Sequence, residues 1–179
     1  MASLASRHDL DFFNARAAAY SAEYPATREW RQSPFGWMLT LAPGTRGALA
    51  RRMVEEWASS LNLPAYQETE HGQRYVVVNS RRIQVKLSTL WQSGEYRFQQ
   101  IRDQSYDYLL CLGLSPDDIH AWLIPKVELL SHLRGTAGQH TGAAADETFW
   151  IATAPSGGAP WLSEYGNQLS DVRGALQQL

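Results

Sequence analysis

Between positions 45 and 61, apolar side chains recur every four residues at Leu49, Met53, Trp57 and Leu61, with Ala50 and Val54 beside them. That spacing predicts a helix with Thr45 as its N-cap and one stripe facing a core. The helical angle sets Glu56 at the margin of the stripe and Glu55 on the outer side, and Asn62 and Pro64 stop the helix. The period then falls to two. Residues 64–70, 74–78 and 81–88 read as three strands, joined by His71-Gly72 and by Asn79-Ser80. In the third strand Ile83, Val85 and Leu87 share one face, and Gln84, Lys86 and Ser88 the other.

Residues 98–104 read as a short helix, with Gln99, Gln100, Arg102, Asp103 and Gln104 at helical spacing. The nearly continuous apolar run at 106–112 predicts a buried central strand. A turn at Ser115-Pro116-Asp117-Asp118, a strand at 120–124 and a helix at 127–133 follow. The small, polar stretch 135–147 reads as a mobile surface loop; a last strand at 149–153, a Ser-Gly-Gly-Ala-Pro turn and a closing helix at 168–179 complete the chain. At the other end, 7–24 reads as a helix stopped by Pro25, and 37–41 as a short strand or extended arm. No internal repeat is visible. The order predicts a single-domain α/β fold with a mixed sheet flanked by helices. It divides into an N-terminal helix and aromatic arm (1–44), a core (45–134), and a loop, strand and helix packed on the same domain (135–179).

The chain has 179 residues, enough for one domain with its own core, and its 44% hydrophobic and 19% charged residues are ordinary for a globular protein. Seven Trp and eight Tyr make it aromatic. A net charge of −2 limits any nucleic-acid surface to a local patch. The basic residues do cluster: Arg46, Arg51, Arg52, Arg81, Arg82, Lys86, Arg97 and Arg102 lie within 46–102, whereas only Lys126, Arg134 and Arg173 follow. That distribution suits a positive cleft for phosphates as well as an ordinary basic surface. Trp91 and Tyr96 accompany the patch, to touch bases or simply to pack. Cys111 has no partner for a disulfide, the N-terminus lacks the apolar core of a signal peptide, and no run of about 18 apolar residues occurs, so a cytoplasmic protein is expected. His120 sits in an apolar strand and reads as structural, and His132 and His140 lack metal-ligand spacing. No Walker loop, GxGxxG or GxSxG is present.

Gln84-Val85-Lys86 on the third strand, followed by LSTLWQSGEYRFQQIRDQSYDYLLCLGLSP, carries a resemblance. Over roughly residues 45–125 the sequence resembles the PD-(D/E)xK nuclease superfamily, with Gln-x-Lys where most members have Glu-x-Lys. The longer run is similar to a group of type II restriction endonuclease-like proteins. The resemblance implies double-stranded DNA as partner, phosphodiester hydrolysis with Mg²⁺ (Mn²⁺ as substitute), and a homodimer or pairing with a related nuclease subunit. It implies Lys86, Gln84 and Glu70 as catalytic residues, and Glu70, Gln84, the Val85 carbonyl and Glu56 as metal ligands. Arg51, Arg52, Arg81, Arg82, Arg97, Gln100 and Arg102 would meet DNA.

The pattern also departs from the family. The usual Asp begins the second strand, where this chain has Arg74 and Tyr75, so Glu70, with Glu68 behind it, is the nearest acid upstream. Arg51 and Arg52 stand where some members have an acid in the first helix. Three functions follow: a Mg²⁺-dependent endonuclease, a catalytically degenerate nuclease fold that binds DNA or pairs with an active subunit, and an aromatic-rich interaction protein without nucleic acid.

Overall fold

The computed structural model describes residues 28–133 and 148–179. The helix expected at 7–24 and the loop expected at 135–147 lie outside them.

Two short 3₁₀ turns, Arg28–Arg31 and Gly36–Thr40, lead into helix α1, Pro43–Ser60. The second replaces the strand or arm expected at 37–41. Backbone bonds from Met38 to Phe35 and from Leu41 to Met38 tighten it, and Met38 is buried while Trp37 stays outside. Helix α1 starts two residues before the expected Thr45. Its N-cap is Ala42, which makes no side-chain bond, and Pro43 supplies a φ already set for the first turn. Its buried line is Ala50, Val54 and Ala58, with Leu49, Met53 and Trp57 flanking it half-buried. The stripe is thus rotated by one residue from the expected one. A helix lying flat on a sheet places small side chains on the line of closest approach and large ones on the shoulders. The rotation also reverses the two glutamates. Glu56 is exposed, while Glu55 is half-buried and accepts a hydrogen bond from Gln67 Nε2 at 2.7 Å.

Strands β1 (Ala65–Glu70), β2 (Gln73–Val78) and β3 (Arg81–Thr89) form the expected meander. Both two-residue turns, His71-Gly72 and Asn79-Ser80, have positive φ throughout, as a type I′ hairpin needs. Strand β5 (Tyr108–Leu114) runs parallel to β3, from Ile83 opposite Tyr108 to Thr89 opposite Leu114. Strand β6 (Ile119–Pro125) pairs with β5 antiparallel, and the short β8 (Gly166–Gln168) closes the edge, giving the order β1-β2-β3-β5-β6-β8.

The segment expected as a helix at 98–104 is instead strand β4 (Tyr96–Ile101), which pairs with β7 (Phe149–Thr153) as a separate two-stranded ribbon. The register shifts between Phe98, opposite Ile151, and Ile101, opposite Phe149. One extra residue in β4 therefore separates two buried side chains by three positions, which imitates helical spacing in the sequence. Helix α2 (Lys126–Leu133) follows β6, a 3₁₀ turn at Pro160–Tyr165 precedes β8, and α3 (Leu169–Leu176) is shorter than the helix expected at 168–179.

The molecule is an α/β domain in three layers, with the mixed sheet in the middle. Helices α1 and α3 cover one face through Ala50, Val54, Val172 and Leu176 against Val76, Ile83, Val85 and Leu112. On the other face Tyr96, Phe98, Ile101, Phe149 and Ile151 of the ribbon, with Leu129 of α2, pack on Tyr75, Leu109, Cys111 and Trp122. Each buried Val, Leu, Ile or Phe among these contributes on the order of 1.5–3 kcal/mol by leaving water. His120 is buried here and shares a 2.9 Å hydrogen bond with the Tyr96 hydroxyl. No described helix is long and apolar enough to cross a membrane.

Candidate phosphate-binding cleft

The β2–β3 ladder is short. It runs from Val78 opposite Arg81 to Val76 opposite Ile83, and there the register ends. Beyond Ile83, β3 stays with β5 and parts from β2. The parting opens a cavity of about 710 Å³. Its floor is β3 from Gln84 to Thr89; Gln73 and Arg74 of β2 form one side, the first turns of α1 a second, and Trp91, Arg97, Gln99 and Gln100 the third.

Lys86 and Gln84 project from the same face of β3, as their alternation requires. The Lys86 ammonium donates to the Gln100 carbonyl at 2.6 Å. Burial, the largest influence, pushes its pKa down to about 8; the Cys111 side chain opposes this, and the charges of Arg102 and Arg51 add to it. By accessible area Lys86 is only half-buried, yet the atoms packed around its stem exclude enough water to shift it. That combination suits an ammonium at the base of a concavity whose tip faces the opening. Gln84 is 8% exposed, and its Oε1 has no hydrogen-bond partner among the described residues.

Arg51 reaches the cleft from α1 and Arg74 from β2. The Arg51 pKa is lowered first by burial and then by the charge of Arg74. The two like charges repel each other, and an anion binding between them would relieve that repulsion. Arg46 and Arg97 also line the cleft. Arg97 stacks on Trp91 at 4.5 Å, has Glu95 3.7 Å away, and donates its backbone N–H to Ser88 Oγ at 2.8 Å. Pro43, Gly44 and Gly47 bring the thinly covered N-terminal turns of α1 to the same space, where the helix dipole favours negative charge. Among the described residues the lining contains five cationic side chains and no carboxylate. Among the described residues, three of the four buried polar side-chain atoms left without a partner are here too: Arg51 Nε, Gln84 Oε1 and Arg97 Nε. Buried polar groups are rarely left unpaired, so their concentration in one cleft marks a place for a ligand.

Of the residues singled out in the sequence, Gln84, Val85, Lys86, Arg51, Arg97 and Gln100 meet at this cleft. Arg102 is near enough to act on Lys86 without lining it. Arg81 is exposed at the β2–β3 hairpin. Arg52 lies on the exposed side of α1, paired with Glu56 at 2.8 Å. Arg82 binds Glu68 at 2.9 Å and Glu70 at 2.8 Å. Both acids expected as metal or catalytic groups, Glu56 and Glu70, are therefore held by arginines, as is Glu68, and none of the three lines the cleft.

The donor set does not fit a Mg²⁺ ion. Such an ion takes hard, mostly anionic oxygens in an octahedron, and the side-chain oxygens of the described lining, Gln84 Oε1 among them, are neutral and stand among five cations. Among the described residues no three His, Cys, Asp or Glu side chains come together to hold a metal.

Arg74 was missed as a residue of this cleft, because in the sequence it marked only the absence of the expected Asp. That β2 position faces the cleft, so a cation there reverses the local charge instead of merely deleting it.

No family model matches the chain, and no curated protein matches it. The solved structure of the bacterial homing endonuclease I-Ssp6803I is similar to it, with a TM-score of 0.48 and 14% identity, covering 76% of this chain and 93% of that one.

Proposed function

We propose that this protein is a DNA-acting protein of nuclease type whose cleft grips the phosphodiester backbone, in the manner of a catalytically degenerate member that binds DNA. One observation carries the reading: among the described residues, five cations and no carboxylate surround a cavity containing unpartnered polar atoms. Such a cavity selects a polyanion, and Arg51 facing Arg74 gives it a focus for one phosphate. The likeness of Gln84-Val85-Lys86 and its following run to PD-(D/E)xK nucleases supports DNA as that polyanion.

A cutting enzyme is the second reading, and a separate observation favours it. Glu70 binds Arg82, which shares a face of β3 with Gln84 and Lys86. A carboxylate thus waits on the correct side of the sheet, provided Arg82 releases it.

The experiment is duplex-DNA binding by the full chain across a salt series, beside plasmid nicking with Mg²⁺ or Mn²⁺. Each phosphate held adds about −0.9 to the slope of log affinity against log salt. Arg51→Gln with Arg74→Gln, which removes the shared hold on one phosphate, is expected to flatten that slope by about 1. A flat response in the unaltered protein refutes the DNA reading. Metal-dependent nicking that Lys86→Ala abolishes would put the second reading first.

A further inference from the structure

The β4–β7 ribbon has a buried and an open face. Tyr96, Phe98 and Ile101 of β4, and Phe149 and Ile151 of β7, point into the core. Strict alternation would send only one of Gln99 and Gln100 outward. The extra residue in β4 turns both outward, and both are exposed and line the cleft. Opposite them on β7 stands Trp150, 46% exposed. The bulge is held in an uncommon backbone conformation: Gln100 has φ 56°, the left-handed region that non-glycine residues seldom adopt. Such strain persists where surrounding contacts over-determine it. Here the Gln100 carbonyl is fixed by the Lys86 ammonium at 2.6 Å.

From this geometry we infer that the outer face of the β4–β7 ribbon enters the DNA major groove and reads an A·T pair, with Gln99 and Gln100 as the specificity-determining side chains. The inference rests on the DNA reading above. A two-stranded ribbon fits the major groove, which is about 12 Å wide. A glutamine carboxamide carries a donor and an acceptor side by side, the complement of adenine N7 and N6. Being neutral, these side chains add little to the electrostatic grip and suit base edges better than phosphates. Trp150 offers the apolar contact that a thymine methyl takes. The charge pattern of the cleft selects the same partner. Arg51 and Arg74 hold the backbone in the cavity that Gln99 and Gln100 also line, so base edges of that duplex come within reach of the ribbon.

The test enriches binding sequences from a random duplex pool with the full chain, then measures affinity for the enriched and random duplexes at one salt concentration. The variant combines Gln99→Ala with Gln100→Gly, glycine being at ease at positive φ and keeping the carbonyl on Lys86. The expected result is an enriched site containing an A·T pair and a fall of about 10- to 100-fold in the enriched-to-random ratio for the variant. A second measurement needs no variant: 7-deazaadenine, which lacks N7, is substituted at each adenine of the enriched site, and at one position wild-type affinity is expected to drop about tenfold. No enriched sequence, an unchanged ratio in a folded variant, or indifference to every 7-deazaadenine overturns the ribbon inference while salt-sensitive binding leaves the DNA reading standing. Failure to bind any duplex overturns both.

Discussion

Replacing Lys86 by methionine is expected to make the protein more stable. The ammonium pKa falls from 10.5 to about 8, chiefly because burial penalises its charge. At 1.36 kcal/mol for each tenfold change, such a fall corresponds to about 3 kcal/mol of destabilisation when the charged form is enforced. The tip of Lys86 faces an open cleft, and solvent screening reduces this to about 1–2 kcal/mol. Methionine keeps much of the volume, and water in the cleft can satisfy the Gln100 carbonyl that Lys86 leaves. The pH dependence follows from the order of the pKa values. Below about pH 8 the ammonium is charged in both folded and unfolded chains, so the folded protein bears the full penalty. Between about 8 and 10.5 the folded protein loses the proton while the unfolded chain retains it, so stability rises with pH and the penalty disappears. Urea unfolding of both proteins at pH 7 and at higher pH measures this. Lys86→Met should lead by about 1–2 kcal/mol at pH 7, and its lead should shrink toward pH 10.5. Groups common to both proteins cancel in the comparison. A less stable Lys86→Met at pH 7, or a difference that ignores pH, would refute the reasoning.

Two more outcomes are expected. Calorimetric titration of Mg²⁺ or Mn²⁺ into the DNA-free protein should show no saturable binding below about 1 mM, and Gln84→Glu should bring binding into range by adding a carboxylate to the floor; tight binding by the unaltered protein would mean that Glu70 leaves Arg82 for the ion. Gly113→Ala should cost about 1–3 kcal/mol in thermal or urea unfolding, because a Cβ there would stand 2.8 Å from the Tyr96 ring; an unchanged midpoint would show that the ribbon can yield.

Local pattern and turn chemistry carried much of the architecture. The two hairpin turns, the alternation that sends Gln84 and Lys86 to one face of β3, the continuous apolar strand in the middle and the long helix before the meander all appear in the sequence. These features depend on residues near one another, through period, φ preference and the cost of leaving apolar surface wet. The resemblance built on Gln84-Val85-Lys86 found the cleft floor for the same reason, since one strand carries the whole motif.

What depended on distant residues was hidden. Strand β4 looked helical because its bulge spaced Phe98 and Ile101 by three, and only pairing with β7, about fifty residues away, makes it a ribbon. The rotation of α1 depended on how closely the helix lies against the sheet, which favoured the alanine line over the larger side chains. The fate of the acids was equally non-local. Glu68 and Glu70 meet Arg82 because β1, β2 and β3 lie side by side, and spacing along the chain gives no sign of it. Arg74 gained its meaning only when β2 parted from β3 and brought it opposite Arg51. A sequence shows which charges a chain owns. Whether each is cancelled by a neighbour or left facing a cleft is decided by tertiary packing, because electrostatic energy depends on distance in space and on the water excluded between the groups.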